Sequence, residues 1–195
     1  AVQAEQNNSS ADRTAVDNAV RNTGNAFKSA VEDARVQATL SVIVDKVNSG
    51  SMSKDKALKE VYELYKKNPN NDRICQNLVT LCDMCIMEYV IADKWGVSSV
   101  KSILDSLNNN KSAAFNRHKD KLAQSYSNIW NQLDINNRML LMGRSVPGKS
   151  LNEKGWALKA GLDYYKKLGD VRSSSSSRLS GLAGLGLFDD LDLPF

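Results

Sequence analysis

The chain has 195 residues, which is enough for one domain with flexible ends, and its net charge of +4 is unevenly distributed. The last eight residues hold three of the 22 acidic residues and none of the 26 basic ones, so residues 1–187 carry a net charge of +7. Three cysteines, an odd number, argue against a secreted disulfide framework, and no apolar run approaches the roughly 18 residues of a membrane-spanning helix. We therefore expect a cytoplasmic protein with no membrane partner.

The first predicted element is a long helix over about Asp12–Val47, which follows a flexible polar arm of residues 1–11. Small and apolar residues recur through it at alternating steps of three and four, which is a helical pattern. Because this stripe is narrow and rich in alanine, it suits close packing of helices, either within the chain or between copies in a homo-oligomer. The stripe consists of Val16, Val20, Thr23, Phe27, Ala30, Ala34 and Ala38.

Two helices follow in the middle of the chain. Ser53 can cap a helix that ends at Asn68-Pro69, since the residue before a proline disfavours helical backbone. The next helix, over about Asp72–Lys94, is apolar nearly all round from Leu78 onward. A helix of that kind is surrounded by others, so we expect it at the centre of the fold.

Three more helices are predicted in the second half. A fourth helix starts at Ser98 or Ser99, and a fifth carries the apolar residues of 115–133 on one face. Ser150-Leu151-Asn152-Glu153 has the pattern of a capping box that opens the last helix, whose predicted inward residues are Leu151, Leu158, Leu162, Tyr165 and Leu168. No alternating run of β-branched residues is bounded by hairpin turns. The predicted fold class is all-α, with about six helices in one compact bundle-like domain of residues 12–170.

One segment, Gly143–Ser150, matches the phosphate-binding pattern GxxxxGK[ST]. Such a loop joins a buried strand to a helix in a parallel sheet, and residues 136–142 are only a weak strand candidate. We therefore do not expect nucleotide hydrolysis. A milder alternative is that residues 148–150, which precede a helix N-terminus, attract a phosphate of nucleic acid.

The cysteines and the single histidine give no catalytic signature. Cys75, Cys82 and Cys85 could line one side of a helix towards a metal, but no second cysteine pair exists and His118 is distant in sequence. Cysteines in an apolar helix are usually small core residues, which is our prediction here. His118 is expected to be partly buried near a basic edge. We predict no catalytic residue, metal, cofactor or enzymatic activity.

Basic and aromatic residues interleave in two stretches, before Tyr126 and Trp130 and again around the last helix. Single-stranded nucleic acid is bound by cations that contact phosphates and by exposed rings that stack on bases. The alternative is that the rings belong to the core and the lysines are ordinary solvated residues. The candidate nucleic-acid-binding residues are Arg117, Lys119, Lys121, Arg144, Lys149, Lys154, Trp156, Lys159, Lys166 and Lys167.

The chain closes with a Ser/Gly/Leu linker, residues 171–187, and an acidic tip, Phe188–Phe195. The linker has too little apolar surface to pack. The tip, Phe-Asp-Asp-Leu-Asp-Leu-Pro-Phe, resembles the C-terminal tip of bacterial and phage single-stranded-DNA-binding proteins, which recruits replication and repair enzymes. The resemblance implies that Asp189, Asp190 and Asp192 supply charge to a basic pocket, and that Leu193, Pro194 and Phe195 supply the anchor.

The tip also departs from that family. Leu191 interrupts the acidic run, and the usual body of the family is a β-barrel, whereas this body is predicted to be helical. Residues 190–195 also resemble the short Leu-x-Leu-x-φ peptides that enter the groove of bacterial sliding clamps.

The sequence thus predicts a helical single-stranded-DNA-binding or replication-accessory protein of phage or mobile-element type. Its basic body would bind nucleic acid, and its tip would recruit replication or repair proteins or a sliding clamp. The alternative is a helical structural or interaction protein, such as a virion or scaffold component, with assembly arms at both ends.

Overall fold

A computed structural model describes residues 2–92 and 98–172, with side chains described for residues 10–88 and 99–172. The tip Phe188–Phe195 and all of the linker beyond residue 172 lie outside the described residues. Within those two ranges every regular element is an α-helix, which confirms the predicted all-α class. The helices are α1 Val2–Asn48, α2 Lys54–Lys67, α3 Asp72–Ala92, α4 Ser98–Asn109, α5 Ala113–His118, α6 Asp120–Gln132, α7 Ile135–Leu141 and α8 Glu153–Leu168.

The described residues contain eight helices, whereas the sequence predicted about six. The predicted fifth helix is divided into α5 and α6 at Lys119, where the Leu122 amide bonds the carbonyl three residues back at 2.9 Å. A further helix, α7, follows because Asp134 caps it, accepting a hydrogen bond from the Asn137 amide at 2.8 Å. Residues 136–141, weighed as part of a weak strand, are therefore helical.

The long first helix starts earlier than predicted, at Val2 instead of about Asp12. Polar residues continue it towards the N-terminus because no glycine or proline interrupts the sequence before Gly24. The chain divides into two compact units, of which the first ends at Ile43 and the second begins at Val44. In the first unit every residue from 10 to 35 is exposed.

In the second unit, α3 is the central helix, as predicted. It packs against α2, α5, α6 and α8, and its side chains at Ile74, Leu78, Cys82 and Ile86 are fully buried. The predicted cap of α2 is also confirmed, because the Ser53 side chain accepts a hydrogen bond from the Lys56 amide at 3.2 Å. Full burial of one large apolar side chain stabilises the folded state by about 1.5–3 kcal/mol. This packing is therefore the main source of the stability of the second unit.

Two tyrosines join α8 to its neighbours by hydrogen bonds. The Tyr165 hydroxyl donates to Asp83 Oδ1 of α3 at 2.7 Å, and the Tyr164 hydroxyl donates to Asp105 Oδ1 of α4 at 2.8 Å. Both tyrosine side chains are buried. Together with the buried apolar side chains of α8, these bonds orient the helix about its axis.

Candidate nucleic-acid interface

The inner face of α8 is the one that the sequence predicted. Leu158, Leu162, Tyr165 and Leu168 are all buried, at the spacing of one helical face. Leu151, which was also placed inward, precedes the helix and is half-buried. Because one face of α8 is fixed in the core, the side chains on the opposite face point away from it.

The exposed face of α8 carries an aromatic ring among lysines. The spacing of these residues, in steps of three, seven and one, places them on one side of the helix: Trp156, Lys159, Lys166 and Lys167. The Trp156 side chain is 58% exposed, and the Lys159 ammonium lies 5.2 Å from the centre of its ring. Such a distance is favourable for a cation–π contact. We call these four residues the α8 face.

The charge of the α8 face is positive but moderate. Asp163 lies on the same side of the helix and is exposed, so the three lysines leave a net charge of +2. At the end of the helix the Lys111 ammonium donates to the Lys167 carbonyl at 2.7 Å, which adds another cation. Sequence reasoning missed Lys111 because 56 residues separate it from its partner.

Three more of the predicted cations, Arg144, Lys149 and Lys154, precede or open α8 and are exposed. The segment between α7 and α8 is not a phosphate-binding loop. Gly143, at φ +78°, ends α7 with bonds from the Gly143 amide to the Leu140 carbonyl and from the Arg144 amide to the Met139 carbonyl. The first glycine of the matching pattern is thus a helix cap.

The second half of the same pattern forms a tight turn. Pro147 and Gly148 occupy its central positions, Gly148 has φ +71°, and the Lys149 amide donates to the Val146 carbonyl at 3.2 Å. Proline followed by a glycine of positive φ is the arrangement of a type II turn. The preceding element is a helix and not a strand, which removes the structural context that nucleotide hydrolysis would need.

The capping box predicted at Ser150 is wrong. The cap of α8 is Asn152, whose side chain accepts a hydrogen bond from the Gly155 amide at 2.9 Å. The third helical position is therefore Gly155 and not Glu153. It carries no glutamate side chain that could accept a hydrogen bond from the backbone amide of the cap residue, as a capping box requires. Since α8 begins at Glu153, residues 148–150 do not directly precede its free amides, and the milder phosphate hypothesis loses its basis.

The other predicted basic stretch is largely paired with carboxylates. Arg117 Nε lies 3.6 Å from Asp72 Oδ1, and His118 Nε2 lies 2.8 Å from the same oxygen. Lys119 Nζ lies 3.2 Å from Asp170 Oδ2. His118, as expected, is partly buried, and its hydrogen bond is the main cause that holds the pKa of Asp72 below its ordinary value. Pairing reduces the charge that this stretch offers to a phosphate.

Lys121, the last cation of that stretch, is exposed and donates to Thr80 Oγ1 at 3.3 Å. The two aromatic rings that follow in the sequence already contact neighbouring side chains. Tyr126 and Trp130 stack on each other with centroids 5.9 Å apart, and the Arg138 guanidinium lies 5.8 Å from the Trp130 centroid. Both rings are partly buried, and burial raises the pKa of Tyr126. Trp156 is the more accessible stacking surface.

The three cysteines are core residues, as predicted. Cys75, Cys82 and Cys85 are fully buried, and the Cys75 thiol contacts the Pro69 carbonyl at 3.2 Å. Burial raises the pKa of Cys85 to about 12 and raises that of Cys82 strongly, so neither forms a thiolate at neutral pH. Among the residues that the structure describes, no three side chains of His, Cys, Asp or Glu are grouped to hold a metal ion.

Comparison with known proteins identifies no relative. No family model, no curated protein and no solved structure matches this chain. Within residues 2–92 and 98–172, no helix has both the length and the apolar character needed to cross a membrane. A function has to be inferred from the side chains themselves.

Proposed function

We propose that this protein binds single-stranded nucleic acid through the α8 face, without sequence preference. The observation that carries the proposal is the half-exposed Trp156 ring, with Lys159 beside it and Lys166 and Lys167 further along the same side. From Trp156 to Lys167 the helix rises about 17 Å, which is the length of a few nucleotides. The face therefore combines one stacking surface with a row of phosphate contacts.

The chemistry of the α8 face favours single strands over duplexes. A base stacked on the Trp156 ring contributes about 1–3 kcal/mol, and only an unpaired base can leave its neighbours to reach the ring. The lysines contact phosphates, which every sequence carries, so they add affinity but no sequence preference. Neutralising three phosphates predicts a slope of about −2 for the logarithm of affinity against the logarithm of salt concentration.

Two exposed cations before α8 are further candidates for phosphate contacts. Arg144 and Lys149 lie in the segment that leads into the helix, whereas Lys154, two residues before Trp156, lies on the other side of α8. If Arg144 and Lys149 contact phosphates as well, five contacts steepen the salt slope to about −3.5. The measured slope therefore reports how far along the chain the nucleic acid is held.

We further propose that the tip Phe188–Phe195 recruits a replication or repair protein, as its resemblance implies. Asp189, Asp190 and Asp192 would face basic side chains of the partner, and the final Leu-Pro-Phe would enter an apolar pocket. Deletion of residues 188–195 should abolish such recruitment and leave single-strand affinity unchanged. A loss of single-strand affinity on deletion would contradict the separation of the two roles.

Fluorescence anisotropy tests the nucleic-acid proposal on the whole chain. A labelled oligothymidine and a duplex of equal length are titrated with protein at about 50 and 200 mM salt. The expected result is preference for the single strand, with affinity that falls about 15-fold between the two salt concentrations for a slope of −2. Binding that is insensitive to salt, or equal for strand and duplex, would overturn the proposal.

A further inference from the structure

The first unit presents an apolar stripe that is exposed along its whole length. Val16, Val20, Phe27 and Val31 are 60%, 67%, 70% and 43% exposed, and every residue from 10 to 35 is exposed. Their steps of four, seven and four place them on one side of α1. Helices in water depend mainly on packing of such a face for their stability. A partner for this stripe is therefore expected.

Gly24 lies in the middle of the same stripe, four residues after Val20 and three before Phe27. A side-chain carbon added there would meet no atom within 4 Å, so the glycine leaves an open gap on the helix surface. Glycine inside a helix costs about 0.5–1 kcal/mol relative to alanine. The stripe thus has one large ring, Phe27, close to one gap, Gly24.

We propose that this stripe pairs with the same stripe of a second copy, antiparallel, so that Phe27 of each copy fills the gap at Gly24 of the other. A two-fold axis between residues 25 and 26 places two residues, one from each copy, at the same level when their residue numbers add up to 51. Gly24 then lies opposite Phe27, and Val20 lies opposite Val31. The resulting four layers are self-complementary, as a two-fold interface requires.

Because the chain carries both the ring and the gap that accommodates it, a second copy fits the stripe better than an unrelated helix does. The same two residues favour antiparallel over parallel pairing. In a parallel pair in register, Phe27 would meet Phe27 and Gly24 would face Gly24, which leaves both a clash and a void. Charge does not decide the register. Asp17 lies level with Ala34, next to Arg35, which is favourable, but Arg21 lies level with Ala30, two residues from Lys28, which is not. Shape and apolar contact therefore determine the pairing.

The expected dimer is weak. In this register residues 16–35 of the two copies lie level with each other over about 30 Å of helix, and two helices about 10 Å wide in contact over that length bury on the order of 600 Å² in total. That area lies below the usual range of stable specific interfaces, which begins at about 1,200 Å². The dimer should accordingly depend on concentration. Its formation is independent of nucleic-acid binding by the α8 face.

Disulfide formation between variants of the full chain that each carry one introduced surface cysteine tests the register. The three natural cysteines are buried, so an introduced surface thiol reacts selectively. Val20→Cys and Val31→Cys should form a disulfide-linked dimer when mixed and much less when each is oxidised alone. Ser29→Cys, on the opposite side of α1, is the matched control and should not link to Val20→Cys. Linking within each variant alone would overturn the antiparallel register.

Sedimentation over a range of protein concentrations tests the gap. Gly24→Leu replaces glycine by a better helix former, so the helix itself should become more stable. Because the leucine side chain occupies the space for Phe27, the dissociation constant of the dimer should nevertheless rise at least tenfold. Dimerisation that is unchanged or stronger in Gly24→Leu, or a wild-type chain that stays monomeric at all concentrations, would overturn the proposal.

Discussion

The Lys159 ammonium lies 5.2 Å from the centre of the Trp156 ring, on the side of α8 that the core does not use. This contact places a positive charge beside a ring that is 58% exposed. A base that stacks on the ring brings its own phosphates within reach of the same ammonium. The two side chains can thus act together on one nucleotide.

Replacement of Trp156 by alanine should weaken single-strand binding. Loss of one base stack of about 1–3 kcal/mol corresponds to a rise in Kd of about 5- to 150-fold. Anisotropy with oligothymidine measures it. Ile135→Ala is the control, because it also removes a large exposed apolar side chain, one that is 71% exposed and lies outside the α8 face. Equal affinity of Trp156→Ala and wild type would remove the ring from the interface.

The double variant Lys166→Ala/Lys167→Ala should reduce the salt dependence of single-strand binding, because it removes phosphate contacts and leaves the Trp156 ring in place. Each lost phosphate contact reduces the salt slope by about 0.7, so the double variant should lower it by about 1.4. Titrations at four salt concentrations give the slope. Lys56→Ala/Lys59→Ala removes two exposed lysines of α2 instead and should leave the slope unchanged. If both pairs lower it equally, binding follows total charge and not this face.

Tyr165→Phe should reduce stability by about 1–2 kcal/mol at pH 7, because the partly exposed Asp83 loses a hydrogen-bond donor. Burial, and secondarily Asp83, raises the pKa of Tyr165 above its usual value of 10.0. A group whose pKa is raised in the folded state makes its full contribution to the free energy of unfolding at a pH below its unfolded-state pKa. For Tyr165 this contribution is lost as the pH rises above about 10. Urea unfolding at pH 7 and pH 11 should therefore show a larger alkaline loss in wild type than in Tyr165→Phe. Equal losses would contradict the assignment.

Gly169→Ala should destabilise the second unit. A side-chain carbon at Gly169 would lie 2.8 Å from the Ala123 backbone nitrogen of α6, and a backbone atom cannot move aside cheaply. Overpacking of this kind costs about 1–3 kcal/mol. Thermal unfolding followed by circular dichroism measures the change. Gly24→Ala meets no atom within 4 Å and serves as the comparison, which should lose no stability.

Much of the helical pattern could be read from local sequence. The Ser53 cap and the apolar surroundings of α3 depend on residues close in the chain, and both are confirmed. The start of α8 was misplaced because Ser150 and Asn152 are both good caps, and the spacing to Glu153 favoured the wrong one. The division at Lys119 was missed because the apolar stripe continues across it.

The site was harder to predict because it depends on contacts between distant residues. Trp156 and Tyr164 lie in the same basic stretch, yet one is exposed and the other buried against Asp105. The pairing of Lys119 with Asp170 joins residues 51 apart, which no local pattern reveals. Tertiary packing, not composition, decides which cations and rings reach solvent.

The most direct test of the central claim is ultraviolet cross-linking of the whole protein to a single strand that carries a photoreactive pyrimidine, with the linked peptide identified by mass spectrometry. Binding through the α8 face predicts that the linked residue is Trp156 or a neighbour within Glu153–Leu168. Excess unlabelled oligothymidine should suppress the link. A link that maps to α6 around Trp130, or a link that oligothymidine does not suppress, would contradict the proposed interface.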